Sequence, residues 1–394
     1  MNVRHLPRMT LLHESNLKED SVHSLLISLL RGLAAVQVAA AHLRNEFFPS
    51  ARSLDDAPLW YEVLAFFTGF AHQAVVVFFL ISGWLVGGSL WNKFGQPRAL
   101  ALYAIDRCTR LWTVLLPTFA FMLVAAAATG KLELGSEQLS AGQPYSLPVL
   151  LGNLVGLQTI YVPQFGGNYP LWSLANETWY YVLFPLVLVC LRGQGWLARA
   201  CAAAGIALIA TALPAAMILY FAIWLLGAGC SRLRIEAGSA WKALIVVAMT
   251  VVAVYFRITG QNDDQTTGSF LQDLLISLPV LLLLSTSMTA LPVQRRGMRQ
   301  LRRVAVVLSN FSFTLYVVHV PLFGVAKAAG VAWFGTARID PASAIAPAAY
   351  VLILACVLTA AYGFYWLFEA HTGAIRRWVK LRLLQQRGAT SAAG

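Results

Sequence analysis

Apolar runs of about the length needed to cross a lipid bilayer recur ten times along this 394-residue chain, and no other feature constrains its fold as strongly. They lie at 24–43, 70–91, 110–130, 171–191, 197–213, 214–231, 241–259, 270–290, 304–328 and 343–368. Hydrocarbon offers no hydrogen-bond partners, so backbone exposed to it must satisfy itself, and each run predicts a helix. A further apolar stretch, 147–161, is too short for a span and suits a re-entrant or interfacial segment. Runs 197–213 and 214–231 meet at Pro214 with almost no loop. Charged residues make up 12% of the chain and hydrophobic ones 58%. Soluble domains carry roughly twice that charge, which excludes a soluble enzyme, a disordered chain or a disulfide scaffold. The fold class predicted is an all-α, polytopic membrane protein with about ten transmembrane helices.

The formal charge of +12 invites a nucleic-acid reading until the charges are placed on those spans. One side receives the N-terminal tail, segments 92–109, 192–199, 232–242 and 294–303, and the C-terminal tail. With Arg31 and Arg110 at span mouths, it holds 23 of the 29 Lys and Arg residues. The remaining six are Arg44, Arg52, Lys131, Arg257, Lys327 and Arg338. Ten of the 17 acids, Asp273 among them, fall on that other side. Cytoplasmic loops carry the excess of basic residues, so both termini are expected in the cytoplasm. The charge then reads as topology, and nucleic acid is not an expected partner.

Residues 1–23 read as a cytoplasmic tail, 24–368 as the membrane domain and 369–394 as a basic cytoplasmic tail, with 388–394 a loose end. Residues 1–20 are too polar for a signal-peptide core, so the first run is expected to be retained as a helix. The five cysteines are odd in number and show no CxxC spacing, which favours buried thiols over a disulfide framework.

Ionisable groups inside spans are costly and by default mark function. Arg31 and His42 lie 11 residues apart on the first helix, about three turns, and so share one face some 16 Å apart. Glu177 lies in LWSLANETWYYVLFP inside the fourth span, and His319 in SFTLYVVHVPL inside the ninth. Arg107 and Arg110 are three apart at the mouth of the third span, a spacing that sets two guanidinium groups side by side as phosphate would require. Each has a plainer reading. The RxxR pair also reads as ordinary positive-inside anchors, Arg31 as a snorkelling residue, His42 as an interfacial histidine, and His319 as a cap for the carbonyl that Pro321 leaves open. Glu177 is the hardest to read plainly, since a carboxylate at that depth needs a partner or a proton.

At these residues the chain resembles the acyltransferase family 3 membrane proteins, which O-acylate sugars, polysaccharides and other hydroxyl acceptors. Arg31-Gly32-Leu33-Ala34-Ala35 followed by His42 resembles that family's first helix. Phe78-Phe79-Leu80-Ile81-Ser82-Gly83-Trp84-Leu85 is similar to its FFxxSGFL signature, and Arg107-Cys108-Thr109-Arg110-Leu111 with Pro117 to its RxxR element. Leu171-Trp172-Ser173-Leu174 with Glu177 and Tyr181–Pro185 resembles WSLxxE…YLLFP, and Ser312–Tyr316 with His319, Pro321 and Leu322 resembles SxxLYxxHxPL. The chain departs from the pattern at Ser28 and Thr178, where the family usually has acids, and at Ala370-His371 after the late Glu369.

The resemblance implies an O-acyltransferase that moves an acyl group, most often acetyl, from acyl-CoA to a saccharide or cell-surface polysaccharide hydroxyl. It places the chain in the bacterial inner (plasma) membrane, multi-pass, with acyl-CoA as co-substrate, no metal, and polysaccharide-synthesis machinery as a partner. It implies His42 and Glu177 as catalytic residues and Arg107, Arg110 and Arg31 as the acyl-CoA-binding set. His319, Trp172, Ser173 and Tyr316 would support the substrate or the site. His42 would act as general base oriented by Glu177, or take the acyl group itself; sequence leaves both open. Acceptor specificity is expected from loops 44–69, 131–170 and 331–342. A secondary transporter, or a non-catalytic export partner, is the alternative; repeated halves that would favour a carrier are not found.

Overall fold

The computed structural model describes residues 7–15, 17–18, 21–132, 139, 142–260, 266–288 and 296–390, without the side chains of 296 and 384–390. A strand, β1 (Arg8–Leu11), precedes α1 (Val22–Phe47), α2 (Leu59–Thr68), α3 (Ala71–Ser82) and α4 (Gly88–Lys93). Next come α5 (Ala99–Ala128), α6 (Leu147–Leu154), α7 (Leu171–Arg192), α8 (Trp196–Ala212) and α9 (Ala215–Cys230). After strand β2 (Leu233–Glu236) follow α10 (Ser239–Thr259), α11 (Phe270–Thr286), α12 (Arg296–Asn310), α13 (Ser312–Phe334), α14 (Ala346–Leu367) and α15 (Thr372–Thr390).

Among the described residues, seven helical stretches are long and apolar enough to cross a membrane: 22–53, 59–93, 99–128, 171–192, 239–259, 312–334 and 346–383. Three shorter apolar helices, α8, α9 and α11, have 16 or 17 residues. At 1.5 Å per residue they reach about 25 Å, short of a hydrocarbon core of roughly 30 Å. The chain is an integral membrane protein built from helices, with one two-stranded ribbon among the described residues.

Two helices differ in their ends from the apolar runs. Helix α5 begins at Ala99, ahead of the apolar run at 110, and the RxxR pair lies in the first half of this 30-residue helix. The run expected at 304–328 is two helices divided at Phe311. Its first part belongs to α12, an arginine-rich amphipathic helix that lies against α1. Averaged hydropathy merged the apolar stripe of α12 with the apolar α13. Segment 147–161 does form a short helix, α6, followed by irregular backbone. Helix α15 continues through Thr390 into the stretch expected to be loose, of which 391–394 lie outside the described residues. All five cysteines are free thiols, and Cys108, Cys201 and Cys356 sit on outer helix faces, against the expectation of burial.

The chain divides into two compact units, one of residues 1–92, 186–312 and 338–352, the other of 93–185, 313–337 and 353–394. In the first, α1, α3, α9 and α11 surround a buried core. The glycine of the FFLISGWL stretch has a steric reason. A Cβ on Gly83 would fall 1.9 Å from the Trp224 carbonyl oxygen, and one on Gly227 would fall 2.2 Å from that of Leu80. The backbones of α3 and α9 therefore touch, as small residues allow, and α3 widens at Gly83–Gly87 into a π-helical turn. At the C-terminus of α2 the Gly69 N–H reaches back to Phe66 O, and side chains supply further donors. Gln37 Nε2 reaches Phe67 O at 2.7 Å, Arg44 Nη1 reaches Ala65 O at 3.3 Å, and Arg257 reaches Ala65 O and Phe66 O at 2.9 and 3.2 Å. Two of the six minority basic residues, Arg44 and Arg257, are thus helix caps.

Unit-internal contacts show which segments share an end. β1 pairs antiparallel with β2, Arg8 opposite Glu236. Asn92 bonds Ser15 through both its backbone N–H and carbonyl and also accepts from Arg232 Nη2. The tail, segment 92 and segment 232 therefore meet, in line with the charge reading. At the opposite end Ile339 N donates to Phe47 O at 2.8 Å and Trp60 Nε1 to Pro341 O at 3.1 Å. In the second unit, Asp106 on α5 holds Arg376 at 3.4 Å and Lys380 at 2.6 Å on α15, joining two further basic segments.

Candidate functional site

The second unit gathers Arg107, Arg110, Trp172, Ser173, Glu177, Tyr316 and His319; the first holds Arg31 and His42.

Spaced four apart, Ser173, Glu177 and Tyr181 share one face of α7. The Tyr181 hydroxyl donates to Glu177 Oε1 one turn away. Arg107 places its guanidinium carbon 5.5 Å from the Tyr181 ring centre and 5.9 Å from that of Tyr103, a cation–π stack on two rings. Its Nε and the Tyr103 hydroxyl are buried without a hydrogen-bond partner. Glu177 is therefore one tyrosine removed from a cation that keeps donor capacity in reserve.

Higher on the same face, Ser173 Oγ lies 2.6 Å from Tyr316 Oη on α13, and both hydroxyls reach Pro170 O, at 3.3 and 3.2 Å. The Tyr316 ring meets that of His319 edge-on at 6.1 Å. His319 is fully buried and directs Nδ1 at its own i−4 carbonyl, Leu315 O, at 2.9 Å. Pro321 cannot donate to Val317 O, and Asn168 Nδ2 does so instead, at 2.9 Å. The carbonyl left open by the proline is thus capped by an asparagine 149 residues away, not by His319. Trp172 is half-buried at the head of α7.

The two arginines of RxxR have different fates. Arg110 pairs with Glu369, whose side chain is 1% exposed, and stacks over Phe313 at 5.1 Å. The same carboxylate accepts from the Thr314 N–H at 3.1 Å and from its hydroxyl, closing the first turn of α13. Arg110 is committed to the protein's own carboxylate, and Arg107 is the member of the pair with a donor to spare.

In the first unit Arg31 is half-buried and donates to Ser312 Oγ at 3.5 Å, while His42 is half-buried five residues before the end of α1. A second polar cluster was not anticipated. His72 Nε2 lies 2.6 Å from Asp273 Oδ2, and the Tyr220 hydroxyl donates to the same oxygen and lies 3.1 Å from Ser269 Oγ. Asp273, counted from sequence among the acids of the less basic side, is fully buried in the first turn of α11. A lone Asp beside Gln272 carries no signal of its partner, because His72 is 201 residues away. Outside the spans, burial pushes the Tyr145 phenol up. Among the described residues no group of three or more His, Cys, Asp or Glu side chains could hold a metal ion.

Neither curated proteins nor solved structures yield a match. A family model, the acyltransferase domain, matches residues 26–366, nearly the whole chain. With the ordered motifs and the buried polar face of α7 inside that span, the chain belongs to the acyltransferase family 3 membrane proteins.

Proposed function

We propose that this acyltransferase moves an acetyl group from acetyl-CoA to a hydroxyl of a saccharide or cell-surface polysaccharide, in the bacterial inner membrane with both termini cytoplasmic. The observation that carries the reading is the continuous polar face of α7, from the Arg107 stack through Tyr181 and Glu177 to Ser173 and Tyr316. Such groups are expensive in an apolar helix and are kept for use. Arg107 supplies a cation for the phosphates of the donor, with Arg31 assisting on the first helix.

His42 is the general base, because a neutral imidazole takes a proton near neutral pH where an alcohol does not give one up unaided. The hydroxyl proton passes to His42, the oxygen bonds to the thioester carbonyl carbon, the carbon–sulfur bond breaks, and His42 returns the proton to the CoA thiolate. Glu177 is the second catalytic residue of this reading, a carboxylate held on the polar face of α7 by Tyr181. The reading is tested with purified protein in nanodiscs, radiolabelled acetyl-CoA and a glycan panel. Wild type should label the glycan and His42→Ala should lose at least a hundredfold in rate while inserting and melting normally. Normal turnover by His42→Ala removes it from the chemistry.

A further inference from the structure

The stretch between α6 and α7 is irregular yet deeply packed, and two of its side chains are only half used. Asn168 and Gln158 are each 1% exposed. The Asn168 amide nitrogen donates to Val317 O at 2.9 Å and to Met122 Sδ at 3.8 Å, and Gln158 Nε2 places one of its two N–H groups on Leu171 O at 2.9 Å. A carbonyl can only accept, so these bonds fix which end of each amide is nitrogen. The opposite ends, Asn168 Oδ1 and Gln158 Oε1, are buried acceptors with no partner. Asn153, in the preceding helix, shows what full use looks like. Its nitrogen donates to Val149 O and Pro163 O, at 2.8 and 2.9 Å, and its oxygen accepts from Phe165 N at 3.0 Å.

The segment is held in place from outside and strained within. Trp112 Nε1 donates to Leu154 O and Trp179 Nε1 to Gly156 O, both at 2.9 Å. Thr159, a β-branched residue, sits at φ 67°, where only glycine is at ease. Both half-used amides bracket the start of α7: Gln158 bonds Leu171 O, and Leu171 N bonds Asn168 O at 3.1 Å. Pro170, between them in sequence, accepts from Ser173 and Tyr316.

We infer that Asn168 and Gln158 form the recognition site for the acceptor, taking O–H donors of a neutral polyhydroxylated ligand on their unpartnered carbonyl oxygens. The chemistry selects the ligand. An anion would set its charge against two carbonyl oxygens, which disfavours the phosphates of the acyl donor, whereas sugar hydroxyls donate to both oxygens and relieve their burial. The inference rests on the proposed function for the identity of the ligand as acceptor. The amide N–H groups of a pantetheine arm share this donor chemistry, and the experiment separates the two.

Full-length protein in nanodiscs is titrated with maltose, cellobiose and N,N′-diacetylchitobiose by saturation-transfer NMR without acyl-CoA. Acetyl transfer kinetics are measured in parallel on the best binder. Gln158→Met and Asn168→Leu should each weaken saccharide binding about tenfold and raise its KM alike, leaving the KM for acetyl-CoA within twofold. Retained acetyl-CoA binding shows that a variant is folded, and Gln158→Met spares the Val317 bond should Asn168→Leu misfold. Unchanged saccharide affinity overturns the assignment, as does a wild type that binds none of the three sugars. A raised KM for acetyl-CoA with saccharide affinity intact hands the amides to the pantetheine arm and overturns it equally. A wild type that binds sugar, weakened by these substitutions, but transfers no acetyl group sinks the proposed function and leaves the binding site standing.

Discussion

Replacing Arg110 by methionine should damage stability before it damages donor binding. The substitution keeps most of the aliphatic stem and removes the guanidinium from Glu369, whose side chain is 1% exposed. Breaking a buried ion pair from one side costs roughly 3–5 kcal/mol, because the survivor is an uncompensated buried charge. Glu369 keeps two donors from Thr314, its N–H and its hydroxyl, so the lower end, about 3 kcal/mol, applies. At about 2 °C per kcal/mol for a large chain, the melting midpoint in nanodiscs falls about 6 °C. Glu369→Gln alone costs less, about 1–2 kcal/mol, since Arg110 is 26% exposed and reaches water. The double variant Arg110→Met, Glu369→Gln removes both charges and should melt closer to wild type than Arg110→Met does, with a coupling of about 2 kcal/mol. Scan rates must match, because large membrane proteins unfold irreversibly. Arg107→Met should do the reverse, raising the KM for acetyl-CoA about tenfold with a midpoint within about 2 °C of wild type. Should Arg110→Met melt like wild type and lose tenfold in acetyl-CoA affinity, the buried pair is not its role and the reasoning fails.

Asp273→Ala strips His72 and Tyr220 of their shared acceptor inside the first unit, and should cost about 3 kcal/mol, read as a lower midpoint and poorer yield; a neutral result would mean the pair is solvated. Ser173→Ala and Tyr316→Phe remove opposite ends of one 2.6 Å hydrogen bond, so their effects on stability should be less than additive by about 1 kcal/mol, and full additivity would deny the contact. Gly83→Ala drives a methyl into the Trp224 carbonyl and should abolish folded protein, whereas Gly229→Ala, with open space around it, should be silent; detergent-stable yield by size-exclusion chromatography compares them. Reporter fusions at residues 15 and 237 should report the same compartment, because β1 and β2 are paired; opposite signals would contradict the ribbon.

Much of the helical plan was legible because lipid is an unforgiving solvent for backbone: an apolar run with few charges has almost no alternative to a helix. Runs such as 171–191 and 241–259 reappear as α7 and α10 within a few residues. Where the reading slipped, at α12, an amphipathic helix and an apolar one abut, and a hydropathy average cannot see the change of face. Spacing along one helix was equally readable. Ser173, Glu177 and Tyr181 lie on one side because four residues make about one turn, whatever surrounds them.

What stands opposite that face was not readable. Arg107 and Arg110 are three apart and look equivalent, yet one stacks on tyrosines and the other is held by a carboxylate 259 residues away. The same holds for Asp273 with His72, and for the asparagine that caps the carbonyl below Pro321. Local sequence therefore determined that the chain enters the membrane, where its helices run and which residues share a face, since these follow from hydrogen-bond satisfaction and the pitch of the helix. Only the tertiary structure decided which polar group satisfies which, because a buried charge or amide takes whatever partner packing brings within 3 Å or so, and packing ignores distance along the chain.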